Sequence, residues 1–401
     1  MKYRGGLAAL VIVAAVASAG CSTSVSGSAG PGLTPVDLPS LKVGAYSPEP
    51  TGYDAEISTP GELRLVEARR MLNYLVHPSD IDSDITVLTD VELFFDGEQM
   101  VTSDTFPQQY RPAAVDNNLI AGAYVSRING DLRHRKKLII SVLRFPTEAA
   151  GRKATQEFDQ ITNADPGRHP IPIENRPDAR ASSADDITAI SFVSHGPYVI
   201  LANAAVPEPN QRSLSSVIGK TIDQQLARLD QQQPTPLDDV LDLPTDPDSI
   251  MRRALPKAKD YSDPFIFDHD FGPYEPSGQL HFERNPVEIG KAFEESGVDL
   301  VGRRAGVIYR TRDLAAAFHL QNVLVKAGKN DEELAPPPGL PDVRCLKLDS
   351  SDPSRSYDDL CAVVYGRYVA VVISKAPYSA RSDPALYQRA AAQYAILAKS
   401  E

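Results

Sequence analysis

Two stretches of this sequence, 170 positions apart, spell nearly the same turn. His195-Gly196-Pro197-Tyr198-Val199 and Tyr365-Gly366-Arg367-Tyr368-Val369 each put glycine where a tight hairpin needs positive φ, and each opens the following strand with Tyr-Val. The surroundings repeat in the same order: a strand, an Ala-rich helix, a Pro-rich loop, the hairpin and a closing helix. Self-similarity at one fixed offset makes duplication the better reading, against two unrelated domains with generic patterning. The chain of 401 residues has room for two or three domains, and 42% hydrophobic content supplies their cores. Strand runs followed by helices predict an α+β fold: two duplicated antiparallel-sheet domains with helices packed mainly on one face.

The first α+β domain is expected over residues 59–232. Thr59 and Glu62 spell a capping box with Pro60 in the first turn, ahead of Leu65, Ala68, Leu72 and Leu75 at helical spacing. Residues 91–95, 121–128, 138–145, 187–194 and 198–205 read as strands, with Asn129-Gly130 as a turn signal. Ala150, Ala154, Phe158 and Ile161 mark one helix, and Leu214, Ile218, Ile222, Leu226 and Leu229 the closing one. A Pro-rich linker is expected over 233–270, then the second α+β domain over 271–401. There residues 279–283, 307–310, 345–348, 360–365 and 368–374 read as strands. Helices are predicted from Asn285-Pro286 to Gly297, from Thr311 to Gly328 and from Asp383-Pro384 onward.

The N-terminus carries an address. Lys2 and Arg4 precede an apolar run from Leu7 to Ala17, and Ser18-Ala19-Gly20 stands before Cys21. That layout predicts a lipoprotein signal peptide over residues 1–20 and a lipid on Cys21. The run is too short to span a bilayer, which takes about 20 apolar residues. A plain secretory signal is the other alternative. Residues 21–58 read as tether and docking segment, Ser/Gly-rich at first and then bearing Leu38, Leu41, Val43 and Tyr46. The expected location is the outer face of the cell membrane, with the membrane as partner through Cys21.

Charge and cysteines narrow the function classes. The net charge is −12, with no basic stripe, which argues against nucleic acid as a partner. Three cysteines are present: Cys21, Cys345 and Cys361. With Cys21 lipidated, Cys345 and Cys361 are an even pair in an oxidising compartment, where a disulfide is the default. Two free buried thiols or half a metal site are the alternatives, and no His or Cys lies at zinc spacing.

Motifs for chemistry are sparse. Asp80-Ile81-Asp82-Ser83-Asp84 begins like a calcium loop, but Ile85 replaces the glycine and Val91 the final glutamate, so a solvated acidic loop is expected. Gly219-Lys220-Thr221 ends like a phosphate loop, yet Leu214 stands where the first glycine belongs and the triplet lies in a helix. Asp268-His269-Asp270 with His281 and Glu283 is the densest set of potential ligands or catalytic groups. No Gly-x-Ser-x-Gly or Ser-x-x-Lys motif occurs. Arg133-His134-Arg135-Lys136-Lys137 reads as a solvated strand edge, with an anionic surface as its alternative partner.

Val66-Glu67-Ala68-Arg69-Arg70-Met71, Gly278-Gln279-Leu280-His281-Phe282, Val307-Ile308-Tyr309-Arg310 and the hairpin from Asp358-Asp359 to Val369 carry a resemblance, together with the lipoprotein signal. The chain resembles an uncharacterised family of two-domain actinobacterial cell-envelope lipoproteins, over nearly the whole mature chain. The family amounts to a domain of unknown function, so the resemblance carries over no catalytic residue. The second domain is similar in architecture to the extracellular sensor domains of mycobacterial Ser/Thr kinases. The expectation is a non-enzymatic envelope lipoprotein without cofactor, metal or catalytic residues. It would hold a small or lipidic ligand in a groove between the domains, or an envelope protein. The rival expectation is an envelope hydrolase whose site converges on residues 268–283.

Overall fold

The computed structural model describes residues 32–53, 59–258, 268–352, 357–375 and 383–400, without the side chains of Pro60, Glu62 and Asp268. Cys21, its signal and most of the tether lie outside the described residues, as do the side chains of Glu62 and Asp268. Gly32–Glu401 forms one unit.

The first half begins with α1 (Pro60–Leu72), α2 (Pro78–Ile81), β1 (Val87–Phe94), α3 (Gly97–Thr102) and α4 (Arg111–Val115). It continues with β2 (Ala121–Ile128), β3 (Lys137–Arg144), α5 (Glu148–Asn163), β4 (His169–Pro170) and β5 (Arg180–Ser183). The hairpin β6 (Thr188–His195) and β7 (Tyr198–Ala205) leads into α6 (Gln211–Leu229). Helix starts follow local chemistry: Thr147 accepts the Ala150 N–H ahead of α5, and Asn210 accepts the Ser213 N–H ahead of α6. The second half contains β8 (Gly272–Tyr274), α7 (Pro276–Leu280), α8 (Pro286–Ser296), β9 (Leu300–Arg303), β10 (Val307–Arg310) and α9 (Leu314–Leu324). β11 (Glu332–Leu334), β12 (Arg344–Lys347), β13 (Asp359–Tyr365), β14 (Tyr368–Ser374) and α10 (Pro384–Ser400) complete it.

Each half builds a seven-stranded antiparallel sheet. The first runs β1-β2-β3-β7-β6-β5-β4 and the second, in the same sense, β8-β9-β10-β14-β13-β12-β11. The orders are identical, so the repeat seen in the hairpins extends to the whole topology. Gly196 and Gly366 both turn their hairpins at φ +53°, a conformation that glycine adopts without a Cβ penalty. The α+β character is thus that of two like sheets.

The halves are stacked in a translational sense. Along β7, Tyr198 and Ile200 face the core under α1 and α6, while Val199 and Leu201 face α5. Along β14 the counterparts divide the other way: Tyr368 and Ala370 face α10, and Val369 faces α8 and α9. One apolar core therefore runs from the α1/α6 face of the first sheet to the α8/α9 face of the second. The outer faces carry separate cores, under α3, α4 and α5 in the first half and under α10 in the second. Helices thus cover both faces of each sheet.

The core under α10 is completed from elsewhere in the chain. Leu41 and Tyr46 of the N-terminal segment are buried in it, with Ile250, Met251, Ala254 and Leu255. Arg389 on α10, itself 1% exposed, donates from Nε to the Tyr46 hydroxyl at 2.8 Å and from Nη1 to the Ile373 carbonyl. Gln393 accepts the Leu255 N–H and donates to the Arg253 carbonyl, both at 2.8 Å.

Several expected elements differ. Residues 279–283 are not a strand: α7 ends at Leu280, because Pro276 presets the first helical turn and wins over the alternating polar–apolar pattern. The expected helix from Thr311 to Gly328 shortens to α9, capped by the Asp313 carboxylate, while the Thr311 hydroxyl is spent on the Asp313 and Arg367 carbonyls. Thr59 makes no side-chain cap bond to α1. The strands β4, β5, β8, β9 and β11 were not anticipated; they are two to four residues long, too short to show a period. The basic run is not a strand edge: β2 and β3 are interior strands, and residues 133–136 lie at the tip of the hairpin that joins them.

Replacing Tyr46 by Ala removes a buried ring and leaves the Arg389 guanidinium short of a partner. The expected loss is about 3 kcal/mol, the range for emptying an aromatic site, read as a lower urea midpoint at unchanged slope.

Candidate functional site

The first sheet leaves a hollow on its outer face. Ile139 on β3, Ile190 on β6 and Leu201 and Asn203 on β7 line it, beyond the stretch that α5 covers. Phe106, Pro107 and Tyr110 from the loop ahead of α4 make one wall, and Thr162, Asp165 and Arg168 at the end of α5 another. The enclosed volume is ≈ 270 Å³. Its walls are held by ring packing: Phe106 stands edge-on to Phe94 at 5.5 Å and to Tyr124 at 5.6 Å, and Tyr110 edge-on to Phe158 at 5.2 Å. The Tyr110 hydroxyl lies 2.6 Å from Thr162 Oγ1, tying the two walls together.

Three polar features converge there. Arg168 is anchored from Nε to Ser182 Oγ at 3.1 Å and from Nη2 to the Ser182 carbonyl at 2.8 Å. The Asn203 Oδ1 is buried without a hydrogen bond among the described residues. Burial, with Asp90 and Glu92 nearby, pushes the Tyr124 hydroxyl up to about 12, so it remains a proton donor at any ordinary pH. Burial likewise raises Tyr110.

The second half carries the same hollow in smaller form. At the hairpin offset, Ile190, Leu201 and Asn203 correspond to Leu360, Val371 and Ile373. Those three line a cavity of ≈ 50 Å³ with Val323 and Leu324 of α9, Tyr309 and Tyr357. Ile373 thus takes the place of Asn203, and Glu283, Arg284, Asn285 and Lys326 also line the cavity.

The seam between the halves is occupied by buried side chains and is not a groove. His77 and His281 stack there, ring centroids 3.8 Å apart and 8° from parallel. His77 Nε2 lies 3.2 Å from the Ser277 carbonyl, which selects the tautomer with Nε2 protonated. Arg127, wholly buried on β2, donates from Nη2 to the carbonyls of His281 at 2.8 Å and Glu283 at 3.0 Å. Nearby in the first half, Glu67 is 0% exposed and pairs with Arg144, while Thr235 donates to it at 2.8 Å.

This seam absorbs the expected polar cluster. Glu283 accepts from the Tyr309 hydroxyl and from Gln279, both at 2.7 Å. Asp270 lies 4.0 Å from the guanidinium of Arg303, which rests 3.8 Å over the Phe282 ring. His269 Nε2 is 3.8 Å from Glu92 and 3.6 Å from Asp270. Desolvation first, then Asp90 and Asp270, pushes the Glu92 carboxyl up to about 8. His281 turns away to its stacking partner, so these residues do not converge around an open cleft. Among the described residues no group of three or more His, Cys, Asp and Glu side chains is placed to hold a metal ion.

The remaining motifs have structural roles. Lys136 pairs with Asp82 at 2.9 Å and Asp84 at 2.8 Å, and Arg228 with Asp80 at 3.0 Å. Lys220 caps α2 by donating to the carbonyls of Asp80 and Ile81. Cys345 and Cys361 face each other across β12 and β13 with their sulfurs 1.97 Å apart, at disulfide distance. The sequence reading passed over Phe106, Arg168 and Asn203. One signal was available: Asn203 is the polar intruder in the apolar strand YVILANAA.

The chain belongs to a family known so far as a domain of unknown function, DUF7373. The family's N-terminal part matches residues 55–245 and its C-terminal part residues 250–400. The resemblance to an uncharacterised two-domain family is thereby shown. No curated protein matches the sequence. Among solved structures, the extracellular domain of PknH from Mycobacterium tuberculosis is similar at 9% identity and a TM-score of 0.28, over 40% of this chain and 94% of that chain.

The stacked histidines give a pH dependence of fixed sign. Burial first, then the charges of Arg127 and Arg228, holds His77 down to about 3, and burial with His77 beside it holds His281 well below its usual value. In the unfolded chain both bind protons near 6.5. Between there and about 3 the unfolded state holds more protons, so stability falls as pH drops through that window. The urea midpoint is expected to fall from pH 7 to about 4.5, and to fall less in the double variant His77→Phe/His281→Phe, which keeps two stacked rings. Glu92, common to both proteins, cancels in that comparison.

Proposed function

We propose that this protein is an extracytoplasmic binding protein, held on the outer face of the cell membrane by a lipid on Cys21, that takes up a small ligand in the hollow of its first sheet. The hollow carries the reading: an apolar floor, aromatic walls and a few fixed polar groups are the makings of a ligand site. The N-terminal pattern supports the anchor, and among the described residues no helix is long and apolar enough to cross a membrane. Of the polar groups in residues 268–283, Asp270, His281 and Glu283 are buried at the seam and do not open onto a cleft, which supports a non-enzymatic role. A small molecule fits this site better than an envelope protein, because the hollow is concave and Asn203 Oδ1 lies below the surface.

Two measurements test the reading. Cys21→Ser is expected to move the protein from the membrane fraction to the soluble fraction and to remove a diacylglyceryl mass from the N-terminal peptide; unchanged fractionation removes the anchor. Native mass spectrometry of protein purified from its own envelope is expected to show a bound molecule of defined mass, lost in Asn203→Leu. Bare protein in that experiment counts against the ligand.

A further inference from the structure

The two hollows, built at the same place in the same topology, differ in their floors and in the cation at the end of the helix. In the second half Lys326, at the end of the helix, pairs with Glu288 at 2.5 Å and Ile373 closes the floor, while Arg284, which also lines that cavity, has no ion pair among the described residues. In the first half the cation at the corresponding end, Arg168, has no ion-pair partner among the described residues. This stands out in a chain of net charge −12, where Arg176 and Arg180 of the neighbouring loop and strand are both paired with aspartates. Ser182 holds the Arg168 guanidinium by two hydrogen bonds, so its direction is set before any ligand arrives. A planar guanidinium fixed in this way is suited to a carboxylate. Asn203 Oδ1 in the floor accepts a hydrogen bond that none of the described residues supplies, so the ligand brings a hydroxyl or N–H. Ile139, Ile190, Leu201 and the Phe106 ring ask for an apolar body. A volume of ≈ 270 Å³, below the usual pocket range of about 300–1,000 Å³, keeps that body small.

We infer that the first-half hollow selects a small amphipathic carboxylate bearing a hydrogen-bond donor, with Arg168 receiving the carboxylate and Asn203 the donor, and that the second-half hollow is a closed copy of the same site. This rests on reading the hollow as a binding site. Asp165 stands exposed at the rim and sets the entrance against ligands with two distant anionic groups. A site built to pair polar groups discriminates through the group left unpaired, so analogues lacking one polar feature are informative.

The test uses the full chain and three probes in titration calorimetry: 3-hydroxyoctanoate, octanoate without the donor, and 1,3-octanediol without the anion. The hydroxy acid is expected to bind at least tenfold more tightly than the diol, and Arg168→Gln to erase that difference while leaving diol affinity within twofold. Asn203→Leu is expected to erase the preference for the hydroxy acid over octanoate. Circular dichroism of each variant checks its fold, and Lys326→Gln, in the second half, is the control that changes nothing. Equal affinity for diol and acid, or an Arg168→Gln variant that binds the acid as wild type does, overturns the inference. If envelope-purified protein carries a neutral molecule and ignores the acid, the inference falls and the pocket reading stands. If it carries nothing and binds no probe, both fall.

Discussion

The structure depends on a charge placed where charges are costly. Arg127 lies on an interior strand of the first sheet with no exposed surface, and its guanidinium reaches across to the second half. A cation taken out of water is tolerated only when its donors are satisfied. Here they meet main-chain carbonyls: Thr86 at 2.5 Å on one side, and Leu280, His281 and Glu283 on the other. Those last carbonyls follow the end of α7, where a helix leaves its final C=O groups without internal partners. One side chain thus satisfies the loose end of a helix in the other half. The same carbonyls fix where His281 stands, hence the stack on His77.

The seam also sets what the polar residues are free to do. Glu67 pairs with Arg144 and accepts from Thr235, and Glu283 accepts from Tyr309 and from Gln279, whose Oε1 accepts from Arg303; Arg144 Nε and Arg303 Nε and Nη2 have no hydrogen-bond partner among the described residues. The stretch between the halves takes part: Thr235 closes the first network, and residues 250–255 lie under α10. Such networks hold a relative placement, because a half-satisfied buried network is worse than none. Among the described residues, Asn203 Oδ1 is one such unpartnered atom, and it lies in the first-sheet hollow.

The sequence made local features legible and left cross-chain ones dark. The two glycine turns, their flanking strands and the helix led by Asn285-Pro286 could be read because turn and start signals act over a few residues, whereas the caps Thr147 and Asn210 came to light only in the structure. That Cys345 and Cys361 form a pair was an expectation from counting, with Cys21 taken as lipidated, and the two stand at disulfide distance. The strands β4, β8 and β11 exist because a neighbour offers them an edge, which no property of two or three residues announces. Gln279-Leu280-His281-Phe282-Glu283 alternates like a strand, yet Pro276 starts a helix there and burial then uses Gln279 and His281 on the seam. Arg127 and His77 find partners 150 or more residues away. The site was equally dark, since Phe106, Arg168 and Asn203 come from separate loops and strands, although a lone asparagine in an apolar strand was a visible anomaly.

The stacking sense of the halves has a consequence for how the two-sheet stack is closed. The face that the first half offers to the second is repeated, unmet by a third, under α10, and the face by which the second half docks is repeated on the outside of the first. Repeats joined head to tail have no internal reason to stop at two. Here the stops are separate pieces of chain: the segment carrying Leu41 and Tyr46 seals one end, and α3, α4 and the Phe106 loop seal the other. The second seal is incomplete, and the hollow with Arg168 and Asn203 is the gap it leaves. In this protein a ligand would enter through the unfinished end of a two-unit stack, at a surface the fold first used for holding onto itself.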